Sequence, residues 1–372
     1  MSQNSFLLLL VIIAEISGNQ AISGILLTMI VVIIAGGSGS RLWPLSTPDY
    51  PKHLLKVNGS DRSLLQATYE RARQLGDHIY VVSESGHIDH VRQQLPDLPP
   101  EGFIVEPARR GTANCIIAAL CHISGRHDEQ EPIAFIHADH YIRDTDGFVA
   151  SLKAATEVSR AHNRIVLVGI EPDYPATCFG YIQKGEPFES KVLAYNVSSF
   201  KEKPNFDIAK GYLDSGDYLW NAGYFVGSVK TFRHKMETYA PDLLAAYDKL
   251  TAAGADGYEA AYLELKSEAI DYALIEKVED LLVVQASFDW MDLGSFGDVH
   301  KAIGGDEKGN HVHGKVETEE VDNSFIQNYE EKPVVVLGLD NVVVVNTPNG
   351  LLVTRKDLSQ KVGDISKRLN ES

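Results

Sequence analysis

Ile30-Val31-Val32-Ile33-Ile34-Ala35-Gly36-Gly37-Ser38-Gly39-Ser40-Arg41 begins with apolar residues free of polar alternation and then breaks into a glycine-rich turn. A short unalternated apolar run is what a strand covered on both faces requires. Similar runs follow at residues 79–82, 103–105, 133–138 and 165–170. Between them, residues 63–75, 112–123 and 148–161 carry apolar side chains at helical spacing, which makes successive βα units. The fold class is therefore α/β, a Rossmann-like mixed and mostly parallel sheet. Strands predicted at 197–202 and 224–228, with helices at 241–250 and 257–266, extend this domain over residues 29–300.

The pattern changes after Gly304-Gly305-Asp306-Glu307, where helical spacing stops and β-branched runs appear at 334–337 and 342–345. A small C-terminal β-rich domain is predicted over 305–372, with a β-helix-like turn, a hairpin and a terminal helix. Asn346-Thr347-Pro348-Asn349-Gly350 separates two β runs and reads as the hairpin turn. In the polar tail, Leu358, Val362 and Ile365 are spaced to lay one helical stripe on that hairpin. Gly363 within the same stretch weakens a helix.

The chain has 372 residues, 44% of them hydrophobic and 23% charged, enough for one large core plus a second small domain. A net charge of -17 leaves no global basic surface of the kind that holds nucleic acid through its phosphates. Cys115, Cys121 and Cys178 are odd in number and form no CxxC pair, which fits a reducing, cytoplasmic compartment. Residues 1–28 hold two apolar runs too short to span a membrane, and no Lys or Arg precedes Arg41 as a secretory signal would need. This segment reads either as an extension from an upstream start, since Met29 directly precedes the first strand, or as a membrane-associated arm.

Glycines let a backbone bend tightly and approach a phosphate, and the N–H groups of such a turn form an anion nest, to which Arg41 and Lys52 add charge. A Walker loop would need a closing Gly-Lys-Ser/Thr, and a dinucleotide fingerprint would need glycine where Leu42 stands. Neither fits. Asp139 follows the run 133–138 and should emerge at the carboxyl edge of the sheet, where open α/β folds bind ligands. His137 and His140 beside it raise zinc, but three residues apart on a strand they should face opposite sides, and no further Cys or His completes a set.

The stretch from Gly36 to Ser46, Gly-Gly-Ser-Gly-Ser-Arg-Leu-Trp-Pro-Leu-Ser, followed by Pro51-Lys52, closely resembles the signature of the mannose-1-phosphate guanylyltransferases within the sugar nucleotidyltransferase superfamily. The resemblance continues through Glu106-Pro107 with Thr112-Ala113, His137-Ala138-Asp139-His140, 177–182, 200–204, Trp220-Asn221-Ala222-Gly223, 270–277 and 289–295, and spans about 29–370. It implies transfer of GMP from GTP to α-D-mannose 1-phosphate, giving GDP-mannose and pyrophosphate with Mg2+ as cofactor.

By that resemblance, Gly36, Gly37, Ser38, Gly39, Arg41, Lys52 and Asp139 bind the nucleotide, and Glu106 and Thr112 read the base. A carboxylate can accept from guanine's N1 and exocyclic amine, a donor pair adenine lacks. Asp139 and Asp292 are implied as the metal ligands, and Arg41, Lys52, Lys203 and Asp139 as catalytic. Gly180, Tyr181, Glu202, Lys203 and Asn221 are implied to line the sugar-phosphate pocket. Glu331-Lys332-Pro333 repeats the tripeptide Glu202-Lys203-Pro204 and is expected to be only a solvated turn.

The chain departs from the family pattern in several places. Gly111 stands for Asn, Asn114 for Pro, His53 for Gln, and Cys178-Phe179 for Gly-Tyr. Another sugar or base therefore stays open, as does a catalytically inactive nucleotide-sugar sensor, although the basic residues and both carboxylates are kept. The family's fused forms carry an isomerase domain after the β domain; the chain stops before one, so no isomerase activity is expected. The expected partners are GTP and a sugar 1-phosphate, with no nucleic acid or membrane partner, and a homodimer is left open.

Overall fold

The computed structural model describes residues 29–37, 39–57 and 60–370. The predicted extension 1–28 and Ser38 of the glycine turn lie outside the described residues. A nine-stranded sheet forms the larger part, from β1 (Ile30–Ala35), β2 (His78–Glu84), β3 (Phe103–Glu106), β4 (Pro132–His137), β5 (Val166–Ile170), β6 (Gly180–Phe188), β7 (Ala194–Glu202), β8 (Tyr218–Ser228) and β9 (Leu282–Gln285). Its order is β3-β2-β1-β4-β8-β5-β9-β7-β6, and β8 also pairs with β6. β1 runs parallel to β2 and β4, and β2 parallel to β3. β8 inserts antiparallel between β4 and β5, and β6 and β7 add antiparallel pairs. The five strands predicted first thus share one direction, and the antiparallel ones are those the sequence marks only weakly.

Alternate residues of each buried strand feed two cores, as a period of two demands. Ile30, Val32 and Ile34 face Ile116, Phe232 and Tyr262 on one side, while Val31, Ile33 and Ala35 face Leu65 and Leu152 on the other. The covering helices are α1 (Leu64–Ala72), α2 (Ile88–Gln94), α3 (Gly111–Ile123), α4 (Thr145–His162), α5 (Phe206–Ser215), α6 (Val229–Tyr239), α7 (Pro241–Leu263) and the short α8 (Ile270–Ala273). A capping box starts α1: Ser63 Oγ accepts from Gln66 N at 3.1 Å, and the Gln66 side chain accepts from Ser63 N at 3.0 Å. The two helices predicted at 241–250 and 257–266 are one element broken at Gly254, whose φ of 59° interrupts the helical backbone.

After α9 (Phe296–Ile303) come β10 (His311–His313), β11 (Val316–Glu319), β12 (Phe325–Asn328), β13 (Val334–Leu337), β14 (Val342–Thr347) and β15 (Gly350–Arg355). β10, β12 and β14 stack in parallel, as do β11 and β13, which is the coil of a short β-helix. The predicted hairpin closes between β14 and β15 in antiparallel register.

The tail departs from expectation. A 3-10 turn (Lys356–Lys361) leads into α10 (Val362–Asn370), which packs on the Ser40–Leu42 turn instead of laying a Leu358-Val362-Ile365 stripe on the hairpin. Val362 is buried, but Leu358 and Ile365 are 37% and 42% exposed. Gly363 lets the helix approach closely, since a Cβ there would lie 2.9 Å from Arg41 Cγ, and apolar spacing alone gives no clue to such a contact. A third core joins the two parts, with Leu42, Leu293 and Phe296 meeting Phe325, Val343, Val345, Leu352 and Val362. No helix among the described residues is long and apolar enough to cross a membrane.

Candidate active site

The glycine turn leaves β1 at the carboxyl edge of the sheet and enters a single 3-10 turn at Ser40–Leu42. Gly39 has φ 59°, and a Cβ there would lie 2.3 Å from Lys52 Cβ, so backbone conformation and space both require glycine. Ser46 Oγ donates to Gly39 O at 2.6 Å and fixes the far end of the bend. The close approach brings Lys52, itself buried, under the turn.

Lys52 Nζ lies 3.0 Å from Asp139 Oδ2 and 3.5 Å from Asp292 Oδ1, and also donates to the Asp292 carbonyl. Arg41 Nη2 stands 3.7 Å from Asp292 Oδ2. Asp139 follows the end of β4 as predicted, and Asp292 arrives from the loop after β9. Burial opposes ionisation of Asp139, yet the Lys52 ammonium holds its carboxyl well below the usual range. Burial likewise disfavours the Lys52 cation, but Asp139 and Asp292 outweigh it and raise its pKa.

Two carboxylates that converge on one ammonium also suit a small hard cation. Among the described residues no group of three or more His, Cys, Asp or Glu has metal-holding geometry. His137 and His140 do not face opposite sides as the sequence suggests. Their ring centroids are 5.0 Å apart, because β4 ends at His137 and the chain turns back. His140 Nδ1 pairs with Tyr224 OH at 2.8 Å, and burial followed by His137 pushes its pKa down to about 3, so the ring is neutral.

On the face of the sheet shared with Ile34, β6, β7 and β8 bring together Gly180, Glu202, Lys203 and Asn221. Glu202 Oε1 accepts from Lys203 Nζ at 2.6 Å, while its Oε2 is buried with no protein partner. A Cβ at Gly180 would lie 2.3 Å from that oxygen, so the carboxylate can pack there only against glycine. Lys203 holds φ 47°, a conformation rare for lysine that aims it from the strand end. Asn221 Oδ1 accepts from Gly223 N at 3.0 Å and its Nδ2 donates to Asp271 Oδ1 at 2.8 Å. Tyr181 does not line this pocket with its ring: the side chain is fully buried in the opposite core and donates to Ala176 O at 2.9 Å. Strand alternation explains it, since the neighbour of inward-facing Gly180 must point the other way.

Glu106 ends β3 and is buried, with Tyr262 OH donating to its Oε1. Burial pushes its pKa up to about 7 against that hydrogen bond. Thr112 Oγ1 accepts from Ile270 N at 3.0 Å, so its hydroxyl ties α3 to α8. The departures nearby have local reasons. Gly111 has φ 81° and a Cβ would lie 2.2 Å from Glu268 O, while Asn114 Nδ2 donates to Arg110 O and, at 2.8 Å, to Lys266 O. His53 is buried with neither ring nitrogen paired, and burial lowers its pKa to about 4. Glu331 and Lys332 are exposed, as expected of the second tripeptide.

Two cavities open near these residues. One of about 160 Å³ is lined by Thr112, His137, Asn221, Gly223 and Asp271. The other, about 790 Å³, runs from Arg41 and Asp292 to an aromatic wall of Tyr174, Phe179, Trp220 and Trp290 and also includes Cys178. Asp271 and this wall have no role assigned from the sequence. Asp271 lies in the matching segment 270–277, and the tryptophans sit in Trp220-Asn221 and beside Asp292, so position within those motifs was the available signal.

The nucleotidyl transferase family pattern matches residues 30–309, and the MannoseP isomerase/GMP-like beta-helix domain pattern matches 309–369. The mannose-1-phosphate guanylyltransferase of Escherichia coli (strain K12) is 34% identical over 351 residues, covering 91% of this chain and 73% of the relative. That of Klebsiella pneumoniae is 34% identical over 344 residues, with 90% and 72% covered. A solved structure from Thermus thermophilus, described as a mannose-1-phosphate geranyltransferase, superposes with TM-score 0.83 at 28% identity and covers 92% of this chain and 99% of its own.

Proposed function

Because the chain belongs to the mannose-1-phosphate guanylyltransferase family of nucleotidyl transferases, we propose that it transfers GMP from GTP to α-D-mannose 1-phosphate, releasing GDP-mannose and pyrophosphate. The observation that carries this is the convergence of Asp139, Asp292 and Lys52 directly beneath the glycine turn. An oxygen of the sugar phosphate attacks the α-phosphorus of GTP, a P–O bond forms there, and the bond to the β-phosphate oxygen breaks. No protein nucleophile is needed, since the attacking phosphate is already an anion. The catalytic demand is alignment and charge neutralisation.

Arg41, the N–H groups of the turn and Lys52 hold the triphosphate. Lys203 binds the sugar phosphate, and the unpaired Glu202 Oε2 accepts from a sugar hydroxyl. Glu106, with Thr112 alongside, accepts from guanine. The role of the Tyr181 position reduces to its backbone. Asp139 and Asp292 would hold a Mg2+ ion, which when bound would supply positive charge beside the reacting phosphate oxygens. The aromatic wall beside Asp292 excludes water from one flank of the centre. Unpaired Cys115, Cys121 and Cys178 agree with a cytoplasmic enzyme.

The test is pyrophosphate release with Mg2+ across GTP, ATP, UTP and dTTP against mannose, glucose and N-acetylglucosamine 1-phosphates. GTP with mannose 1-phosphate should give the highest kcat/KM, and Asp139→Ala should lower turnover by about 100-fold or more while the protein stays folded. Another preferred pair would correct the substrate, and release from no pair would favour a nucleotide-sugar sensor.

A further inference from the structure

The turn that carries Arg41 is held from outside the catalytic sheet. Arg41 Nη1 donates to Gln360 Oε1 at 3.0 Å, and Gln360 belongs to the 3-10 turn that follows the small domain's last strand. Three residues further on, Gly363 lies against the stem of the same arginine: a Cβ there would be 2.9 Å from Arg41 Cγ and 3.4 Å from Ser40 Oγ. A few residues away the β14–β15 hairpin grips the next part of the signature. Pro44 O accepts from Thr347 Oγ1 at 3.3 Å and from Asn349 Nδ2 at 3.2 Å, and Gly350 packs on the Trp43 ring. The small domain therefore touches the glycine turn at its guanidinium, its stem and its exit.

The choice of groups bears on function. Arg41 is 41% exposed at the mouth of the larger cavity, so without partners its long side chain would sample many rotamers and lose that freedom on meeting a phosphate. Gln360 supplies a neutral acceptor to one of the five guanidinium N–H donors, so on that side the arginine is fixed without a further negative charge beyond that of Asp292, 3.7 Å from Nη2. A carboxylate in that place would compete with the phosphate. Gly363 serves the same end by leaving room for the arginine stem.

We infer that Gln360 is a positioning residue for Arg41, through which the small β domain presets the turn for the triphosphate. This rests on the proposed role of the turn as the nucleotide grip. Gln360 touches no reacting atom and acts only through Arg41.

The test is calorimetric titration of the full chain with GTP and Mg2+, alongside steady-state kinetics. Gln360→Met keeps the length and removes the acceptor; it should weaken GTP binding and raise KM for GTP by about 3- to 10-fold, the worth of one hydrogen bond. KM for mannose 1-phosphate and the melting temperature should stay at wild-type values, which a general structural defect would not allow. In an Arg41→Ala background the same substitution should cost nothing more, because the partner it orients is gone. Gly363→Ala should reproduce the GTP defect, and if it fails to fold, Gln360→Met still decides. Unchanged GTP affinity in Gln360→Met, or an equal loss with and without Arg41, overturns the inference. A wild-type chain that binds GTP without turning it over would remove the proposed reaction and leave this inference standing, whereas one that binds no nucleoside triphosphate would remove both.

Discussion

At Glu106 the environment works against the charge that the proposed base contact uses. Burial pushes the carboxyl up from 4.5 to about 7, and the Tyr262 hydroxyl opposes the shift without cancelling it. The sign of the linkage follows. Below the unfolded value both states are protonated and the group is neutral in its effect on folding. As pH rises toward 7 the unfolded chain gives up the proton while the folded one keeps it, so stability is lost across that window and stays lower above it. Glu106→Gln removes this loss, so its melting temperature should gain on that of the wild type by a few degrees between about pH 4.5 and about pH 7 and then run level. A constant difference across that range in a thermal-melt series would place the ionisation elsewhere. At this scale the sequence was informative about identity and poor about orientation. Asp139 follows β4 as expected and Glu202, Lys203 and Asn221 come together, but Tyr181 turns into the core and Asp271 meets Asn221 through a fold-back that no local pattern encodes.

Among the elements, the glycine turn and the small domain's terminal helix are the ones that neighbouring backbone shapes most. Gly39 combines a left-handed φ with a 2.3 Å approach to Lys52 Cβ. Gly39→Ala would have to move Lys52 away from Asp139 and Asp292 or distort the turn. The strain should cost about 1–3 kcal/mol in stability, while misplacement of Lys52 by about 1 Å should cost about 100-fold in kcat/KM. Denaturant melts and initial rates separate the two effects, and a variant that loses stability and keeps its rate would show that Lys52 tolerates displacement. The β14–β15 hairpin was legible because turns are local chemistry. The contact face of α10 was not, because small buried residues such as Gly363 and Ser366 carry no apolar signal.

For the molecule as a whole, the third core decides how the parts behave. Phe325 from the β-helix packs 5.7 Å, centroid to centroid, from Phe296 of the catalytic part, with Leu42 of the signature in the same cluster. Unfolding should therefore be one cooperative transition, and Phe325→Ala should destabilise it by about 3–5 kcal/mol, as measured by calorimetry. Two separated transitions in the wild type would mean that this core does not couple the domains.

The sequence by itself determined the α/β class, the β-rich tail and the glycine turn, because strand and helix periods and turn residues act over a few positions. It also put forward candidate residues for the site, through motifs that resemble those of the family. Only the tertiary structure decided which of those residues meet. Lys52 and Asp292 are 240 residues apart in the chain, and Arg41 reaches Gln360 across 319. Such encounters are fixed by which faces are buried together, a property of the packed whole that no window of sequence contains.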